Sequence, residues 1–399
     1  MATLLYLVHR LPYPPNKGDK VRSWHLLKHL AARHRVHLAT FVDDADDWQH
    51  VPRLESVCAS VKAAPLRPGR ARVASLRGLL GGEALSLPYY RSRALSDWVA
   101  ALARRERIDG VVVFSSTMAQ YAPPGVPTLV DFVDLDSAKW SDYARAHAWP
   151  LSWLYAREGR LLLDFERRVA ARARCSFFVT EQEVALFRAR AGAAQGANVR
   201  ALGNGVDAEF FAPDAARASP FPAGQQAVVF TGAMDYWPNV DAVQWFVAEM
   251  LPALRERFPA LHFHIVGRSP TPAVQALSSP HVSVSGTVPD VRPYLEHAAV
   301  VVAPLRLARG IQNKVLEAMA MARPVVAARS CAAVLTGARD GVDLLTADAT
   351  AEWVDAVARL LDAPAAATRV GAAGRDFVLA HHAWDAQLAG IDSYLETLP

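Results

Sequence analysis

Lys314 and Glu317 stand three residues apart in the stretch 308–328, ARGIQNKVLEAMAMARPVVAA. On a helix starting near Gln312 that spacing puts an ammonium and a carboxylate on one face. A lysine beside the free N–H groups of a helix start can neutralise a diphosphate, and a glutamate one turn on can accept hydrogen bonds from ribose hydroxyls. The pattern outlines a nucleotide-sugar site, with the turn Gly310, Ile311, Gln312 and Asn313 leading into it. Spacing alone leaves a second reading open. Lys314 and Glu317 would then be an exposed pair on an amphipathic helix whose core face is Val315, Leu316, Ala318 and Met319, worth under about 0.5 kcal/mol.

The surrounding elements have to bring this pair to a ligand. Residues 299–305 (AVVVAPL) and 324–328 read as strands buried on both faces. The turn at Arg309-Gly310-Ile311 therefore sits at the carboxyl end of a parallel strand, the edge where open α/β sheets bind ligands. Along the rest of the chain, short apolar runs alternate with helical stretches, which implies parallel sheets flanked by helices. Strands are expected at 3–8, 35–41, 110–114, 128–133 and 175–180, with helices at 20–33, 95–107 and 151–174. A second series of strands is expected at 227–232, 261–266, 282–284 and 344–346. Between the series, FFAPDAARASPFPAGQQ (210–226) is rich in Pro, Ala and Gly without periodicity, as a linker is. The expected architecture is two Rossmann-like α/β domains, 1–208 and 209–380, facing across a cleft. A closing helix, 381–399, is expected to cross back onto the first domain.

A chain of 399 residues with 52% hydrophobic and 21% charged residues is long enough for domains with full cores and is not a disordered chain. No apolar run reaches the length that spans a bilayer, and residues 1–8 lack a basic start and a cleavage site, so a cytoplasmic location is expected. Cys58, Cys175 and Cys331 are odd in number and far apart, which argues against disulfides and a zinc cluster. His262 and His264 alternate on a strand and lack a third ligand, so no metal is expected. Net charge is only +4, yet Arg67, Arg70, Arg72, Arg77, Arg91 and Arg93 crowd a leucine- and tyrosine-bearing stretch, and 149–174 is a second basic, apolar segment. Such patches suit anionic membrane headgroups or an anionic acceptor; solvated helix faces are the plainer reading. No nucleic-acid motif appears.

Two further segments carry polar groups. In RLPYPPNKGDK (10–20) the proline run cannot pair in a sheet, and Gly18 lets the chain approach a ligand before a helix starts with Asp19 and Lys20. In VPTLVDFVDLDSAKW (126–140) Asp131, Asp134 and Asp136 end an apolar strand, where an uncompensated carboxylate is costly. Asp136 or Ser137 could equally start the next helix.

The segment 308–328 resembles the donor-site signature of family 4 glycosyltransferases of the GT-B fold, in which a Gly-containing turn precedes a helix close to K-V-L-E-A-M-A and a Pro-Val-Val strand. The last Glu of that family's E-x7-E motif falls on Glu317 and the first on Arg309, a departure. The resemblance extends to LGNGVDAEFF (202–211), with Asn204 at the nucleotide's edge, and to FTGAMDYWPN (230–239), with Gly232 and Asn239 in a donor-facing loop. It also implies that Gly18 and Lys20 lie near the donor phosphates and that Gly267 shapes the base pocket. The family's His-Asp pair falls on Val133 and Asp134, so the histidine is missing, and Asp134 or Asp136 is the candidate contact to acceptor or sugar. Basic residues usual after Gly232 are absent, which leaves the diphosphate to Lys314, helix N-termini and Lys17, Lys20 or Arg309.

Within the family the chain most resembles sugar transferases associated with exosortase/PEP-CTERM systems, through DFVDLDSAKW, FTGAMDYWPNVDAV and RGIQNKVLEAMAM. What this implies is a retaining, metal-independent glycosyltransferase without a cofactor, using a UDP- or GDP-linked sugar. Its acceptor would be a glycan or polyprenyl-linked sugar in exopolysaccharide biosynthesis, with peripheral contact at the inner face of the cell membrane. Two alternatives stay open: a sugar-nucleotide-binding partner without chemistry, and a GT-B epimerase or phosphorylase.

Overall fold

The computed structural model describes residues 1–192, 196–307 and 310–397. Two compact units appear among them. Unit 1 is Met1–Gly203 completed by the chain from Leu388, and unit 2 is Asn204–Gln387.

Unit 1 is built on a seven-stranded parallel sheet: β1 (Thr3–Val8), β2 (Arg35–Val42), β3 (Ser60–Pro65), β4 (Gly110–Phe114), β5 (Thr128–Val133), β6 (Cys175–Phe178) and β7 (Val199–Ala201). Their spatial order, β3-β2-β1-β4-β5-β6-β7, reverses direction between β1 and β4. β1 reads TLLYLV and buries every residue from Leu4 to Val8; such unbroken runs arise because helices cover both faces of a parallel sheet. The helices of this unit include α1 (Gly18–Arg33), α2 (Pro68–Ser75), α3 (Arg77–Gly81), α4 (Ser86–Tyr89), α5 (Arg93–Arg105), α6 (Asp136–Ala146), α7 (Leu151–Arg172) and α8 (Glu181–Ala191). In α5, Ser92 caps the Leu95 N–H, Arg104 and Arg105 occupy the last turn, and Leu95, Val99 and Leu102 form the buried stripe. Each feature favours a helix there: a capped donor, cations at the negative end of the dipole, and a 3.6-residue apolar period.

Unit 2 carries six parallel strands in the order β10-β9-β8-β11-β12-β13. They are β8 (Gln226–Thr231), β9 (Leu261–Val266), β10 (Val282–Val284), β11 (Val300–Ala303), β12 (Val325–Ala328) and β13 (Leu345–Ala347). Its helices include α9 (Trp237–Trp245), α10 (Asn313–Ala320), α11 (Thr350–Asp362) and α12 (Pro364–His381). The last helix, α13 (Trp384–Leu395), leaves unit 2 and belongs to unit 1 from Leu388 onward. There Leu388, Ile391 and Leu395 are buried, Asp392 meets His29 Nε2 at 2.7 Å, and the Tyr394 ring lies edge-on to Phe177.

Strands form close to where the apolar runs placed them. Two are additional, β3 and β7, the edges of the first sheet. Between the bridge residue Val206 and Gln226 there is neither helix nor strand, in keeping with the linker composition. No helix among the described residues is long and apolar enough to cross a membrane.

Candidate functional site

The carboxyl ends of β8 and β9 meet at two glycines. Gly232 donates its N–H to the Val266 carbonyl at 3.0 Å. A Cβ on Gly267 would lie 1.6 Å from the Gly232 carbonyl oxygen, so nothing larger than glycine fits. A Cβ on Gly232 would stand 2.8 Å from Asn239 Nδ2 and 3.0 Å from Lys314 Nζ. The first loop of unit 2 is thereby pressed against an amide from α9 and an ammonium from α10.

Lys314 is held from several sides. Its Nζ donates to Asn239 Oδ1 at 2.5 Å and lies 4.1 Å from the centroid of the Phe230 ring, where the quadrupole of the ring attracts a cation. Asn239 is fixed in turn by its Nδ2 donating to the Ala233 carbonyl at 2.9 Å. Burial pushes the Lys314 ammonium down to about 7, opposed by the nearby Cys331 and Glu317. Burial likewise raises the Glu317 carboxyl to about 7, opposed by Lys314. Burial thus drives both groups toward their neutral forms, and the two side chains form no ion pair with each other among the described residues.

The approach to α10 is also shaped. Gly310 has φ +65°, a left-handed conformation that favours glycine. Ile311 packs on the core of unit 2, Gln312 Nε2 donates to the Gly310 carbonyl at 3.3 Å, and Asn313 Oδ1 is buried without a hydrogen-bond partner among the described residues. Gln312 occupies the N-cap position without a side-chain cap, leaving helix N–H groups for an anion. Arg309, the departure from the family pattern, lies outside the described residues.

Of the other residues singled out from the sequence, Asn204 and Gly205 belong to unit 2 beside the start of α13. Val206 donates to the His382 carbonyl at 2.7 Å, and a Cβ on Gly205 would fall 2.7 Å from Trp384 Cα. The glycine of that N-G-V-D segment is thus required by chain packing. His262 and His264 each bond a neighbour, Ser283 Oγ at 2.7 Å and Gln225 Oε1 at 2.8 Å. Among the described residues no cluster of His, Cys, Asp or Glu could hold a metal ion.

The remaining candidates lie in unit 1. Gly18 is the first residue of α1, and a Cβ there would face open space. Lys20 is buried and pairs with Asp47 at 2.5 Å, which gives its ammonium a protein partner. Asp131 is buried against Arg22, whose Nε and Nη2 reach its two oxygens at 2.7 and 3.1 Å, and the same guanidinium donates to the carbonyls of Leu202 and Gly203. Asp134 and Asp136 flank Lys139 at 2.9 and 3.2 Å and are more open; their two charges raise the Lys139 ammonium despite its burial. Asp136 is the first residue of α6. Just before, Val133 has φ +68° and the β5–β6 register shifts. A β-branched residue in that region is strained, and such strain clusters at functional sites.

Sequence reasoning did not single out Phe230 under the ammonium or Asp47 and Arg22 as partners. Phe230 sits in the FTGAMDYWPN segment, but only the fold shows which way its ring turns.

With this geometry in hand, comparisons with known proteins agree on one kind of molecule. Residues 18–205 match a family model described as glycosyl transferase 4-like domain, and residues 225–363 match one described as glycosyl transferases group 1. No curated protein matches the chain in sequence. Among solved structures, HepE from Anabaena in complex with UDP is similar at a TM-score of 0.69 and 14% identity, covering 100% of both chains. Sucrose-phosphate synthase from Thermosynechococcus elongatus is similar at 0.70 and 19% identity, covering 99% of this chain and 98% of its own. A mutant TarM from S. aureus, solved with fondaparinux, α-GlcNAc-glycerol and UDP, is similar at 0.64 and 12% identity, covering 99% of each.

Proposed function

The chain is a glycosyltransferase with GT-B architecture, joining a 4-like domain to a group 1 domain, and from that premise we propose that it moves a sugar from a UDP- or GDP-linked donor to a glycan or polyprenyl-linked acceptor with retention of configuration. The observation that carries this reading is the Lys314 ammonium, fixed by Asn239 and Phe230 against the glycine loop, with the Glu317 carboxyl one turn away. Lys314 and the N–H groups at the start of α10 receive the diphosphate, and Glu317 takes the ribose hydroxyls. As the anomeric C–O bond breaks, its electron pair passes to the β-phosphate oxygen, and the fixed ammonium stabilises that growing charge. The acceptor hydroxyl bonds to the anomeric carbon on the same face and its proton goes to the departing phosphate. No cofactor or metal enters the scheme. Asp134 and Asp136 are assigned to the acceptor or transferred sugar, and Asn204 and Gly267 to the nucleotide. Lys20 is left out of donor binding because Asp47 already neutralises it. The resemblance to exosortase-associated transferases supports a role in exopolysaccharide assembly in the cytoplasm, at the inner face of the membrane.

Incubation with radiolabelled UDP- and GDP-sugars and lipid-linked glycans tests this, with the product anomer read by NMR. Lys314→Ala is expected to lower turnover roughly a hundredfold with the melting temperature unchanged. Sugar interconversion, nucleotide binding without turnover, or a fully active Lys314→Ala variant each overturns the reading.

A further inference from the structure

Residues 66–82, LRPGRARVASLRGLLGG, hold Arg67, Arg70, Arg72 and Arg77 and no carboxylate. All four arginines are exposed, and none has an ion-pair partner among the described residues. This segment, which forms α2 and α3, also exposes Val73, Leu76, Leu79 and Leu80, the last at 94%. Exposed leucines normally sit singly, so a run of apolar side chains among unpaired cations needs a partner. A second exposed set, Trp149 at 81%, Leu151 and Trp153, stands at the turn into α7.

The segments that carry these two sets are fastened together within unit 1. Arg157 of α7 donates to the Gly78 carbonyl at 2.7 Å and the Glu83 carbonyl at 3.2 Å. Buried Glu158 accepts from the N–H groups of Leu85 and Ser86 at 2.5 and 2.9 Å. The first turns of α7 are thus bolted to the α3–α4 segment. Between them opens a pocket of about 360 Å³, walled by Tyr89, Trp140, Leu154 and Tyr155 with Arg72 and Ser75 on its α2 side.

We propose that this face of unit 1 seats on an anionic lipid bilayer, with Leu79, Leu80, Trp149 and Trp153 entering the headgroup boundary, the four arginines meeting lipid phosphates, and the pocket receiving one lipid chain. Cations favour an anionic leaflet, and tryptophans settle at the membrane–water boundary. A second copy of the same face is the poorer occupant, since symmetric pairing would set arginine against arginine. The inference deepens the membrane contact of the proposed function, but vesicle binding is measured without donor or acceptor, so it fails or holds independently of the sugar chemistry.

The full chain is expected to co-sediment with phosphatidylcholine vesicles containing phosphatidylglycerol, to stay in the supernatant with phosphatidylcholine alone, and to be released by 0.5 M salt, an amount that screens exposed charges. Arg70→Gln with Arg77→Gln should weaken binding about tenfold or more, and Leu80→Glu with Trp149→Glu should abolish it, with thermal melts unchanged. If the acidic pair unfolds, the glutamine pair still decides. Lipids brominated at mid-chain should quench tryptophan fluorescence, and Trp140→Phe should remove part of that quenching. Wild type left in the supernatant with anionic vesicles, equal binding to neutral ones, or variants sedimenting like wild type would overturn the docking face; quenching unaltered by Trp140→Phe would overturn the pocket's role.

Discussion

At the scale of single residues, Lys314 and Glu317 are poised on opposite sides of one pH. With the ammonium drawn down to about 7 by burial, Lys314 is charged below that value and neutral above it. A diphosphate binds the charged form, so nucleotide affinity should fall about tenfold per pH unit above 7, since one proton is linked to binding. Glu317, raised to about 7, loses its charge below that value and weakens charge-assisted bonds to ribose on the acid side. Calorimetric UDP affinity between pH 6 and 9 should therefore peak near neutrality. Lys314→Arg should flatten the alkaline limb and leave the acid limb, because a guanidinium stays charged. The glycines give a second test. Gly267→Ala places Cβ on a carbonyl oxygen and should destabilise by over about 2 kcal/mol, as overpacking against backbone does. Gly232→Ala shares the positive φ but meets side-chain atoms of Asn239 and Lys314 rather than backbone. It should melt closer to wild type while losing activity, because the ammonium is pushed from its place. Lys314, Asn239 and the two glycines were legible as residue types at spaced positions. What the sequence could not convey is that all of them converge on one point, since residues 232 and 314 are joined only through the sheet.

At the scale of elements, the buried pair of Arg22 and Asp131 ties α1 to β5 and to the last residues of β7's exit. Asp131→Ala takes away the carboxylate that accepts two of the buried guanidinium's hydrogen bonds and should cost about 3–5 kcal/mol in urea unfolding, whereas Arg22→Met with Asp131→Leu should restore most of it. From the sequence Asp131 stood out only as a costly carboxylate in an apolar strand, because a strand's pattern does not reveal what crosses it. The inner strands were readable, being apolar on both faces, as in VVVA of β11. β3 was not: SVKAAP is a half-buried edge with mixed polarity. Nor were α2 and α3, whose leucines and valine face outward, so that no apolar stripe marks a buried side.

At the scale of the molecule, unit 1 is discontinuous. Removing the chain from Leu388 would strip Leu388, Ile391 and Leu395 from it, a loss of roughly 5–9 kcal/mol at 1.5–3 kcal/mol for each fully buried aliphatic side chain. That approaches the whole stability of an ordinary domain. The truncated chain should show a separate, lowered transition for unit 1 in scanning calorimetry, with unit 2 melting nearly as before.

The same return of α13 sets an order in time. Its residues emerge from the ribosome only after all of unit 2, so unit 1 waits with the surface around Phe177 and Leu202 uncovered while its neighbour is made. Domains fold as units during synthesis, and an unfinished one is exposed to misassembly. Unit 1 is therefore not a cassette that can be exchanged by cutting the chain once. A graft that replaces residues 1–203 must carry its own closing helix, or the new unit will meet an end made for the old one.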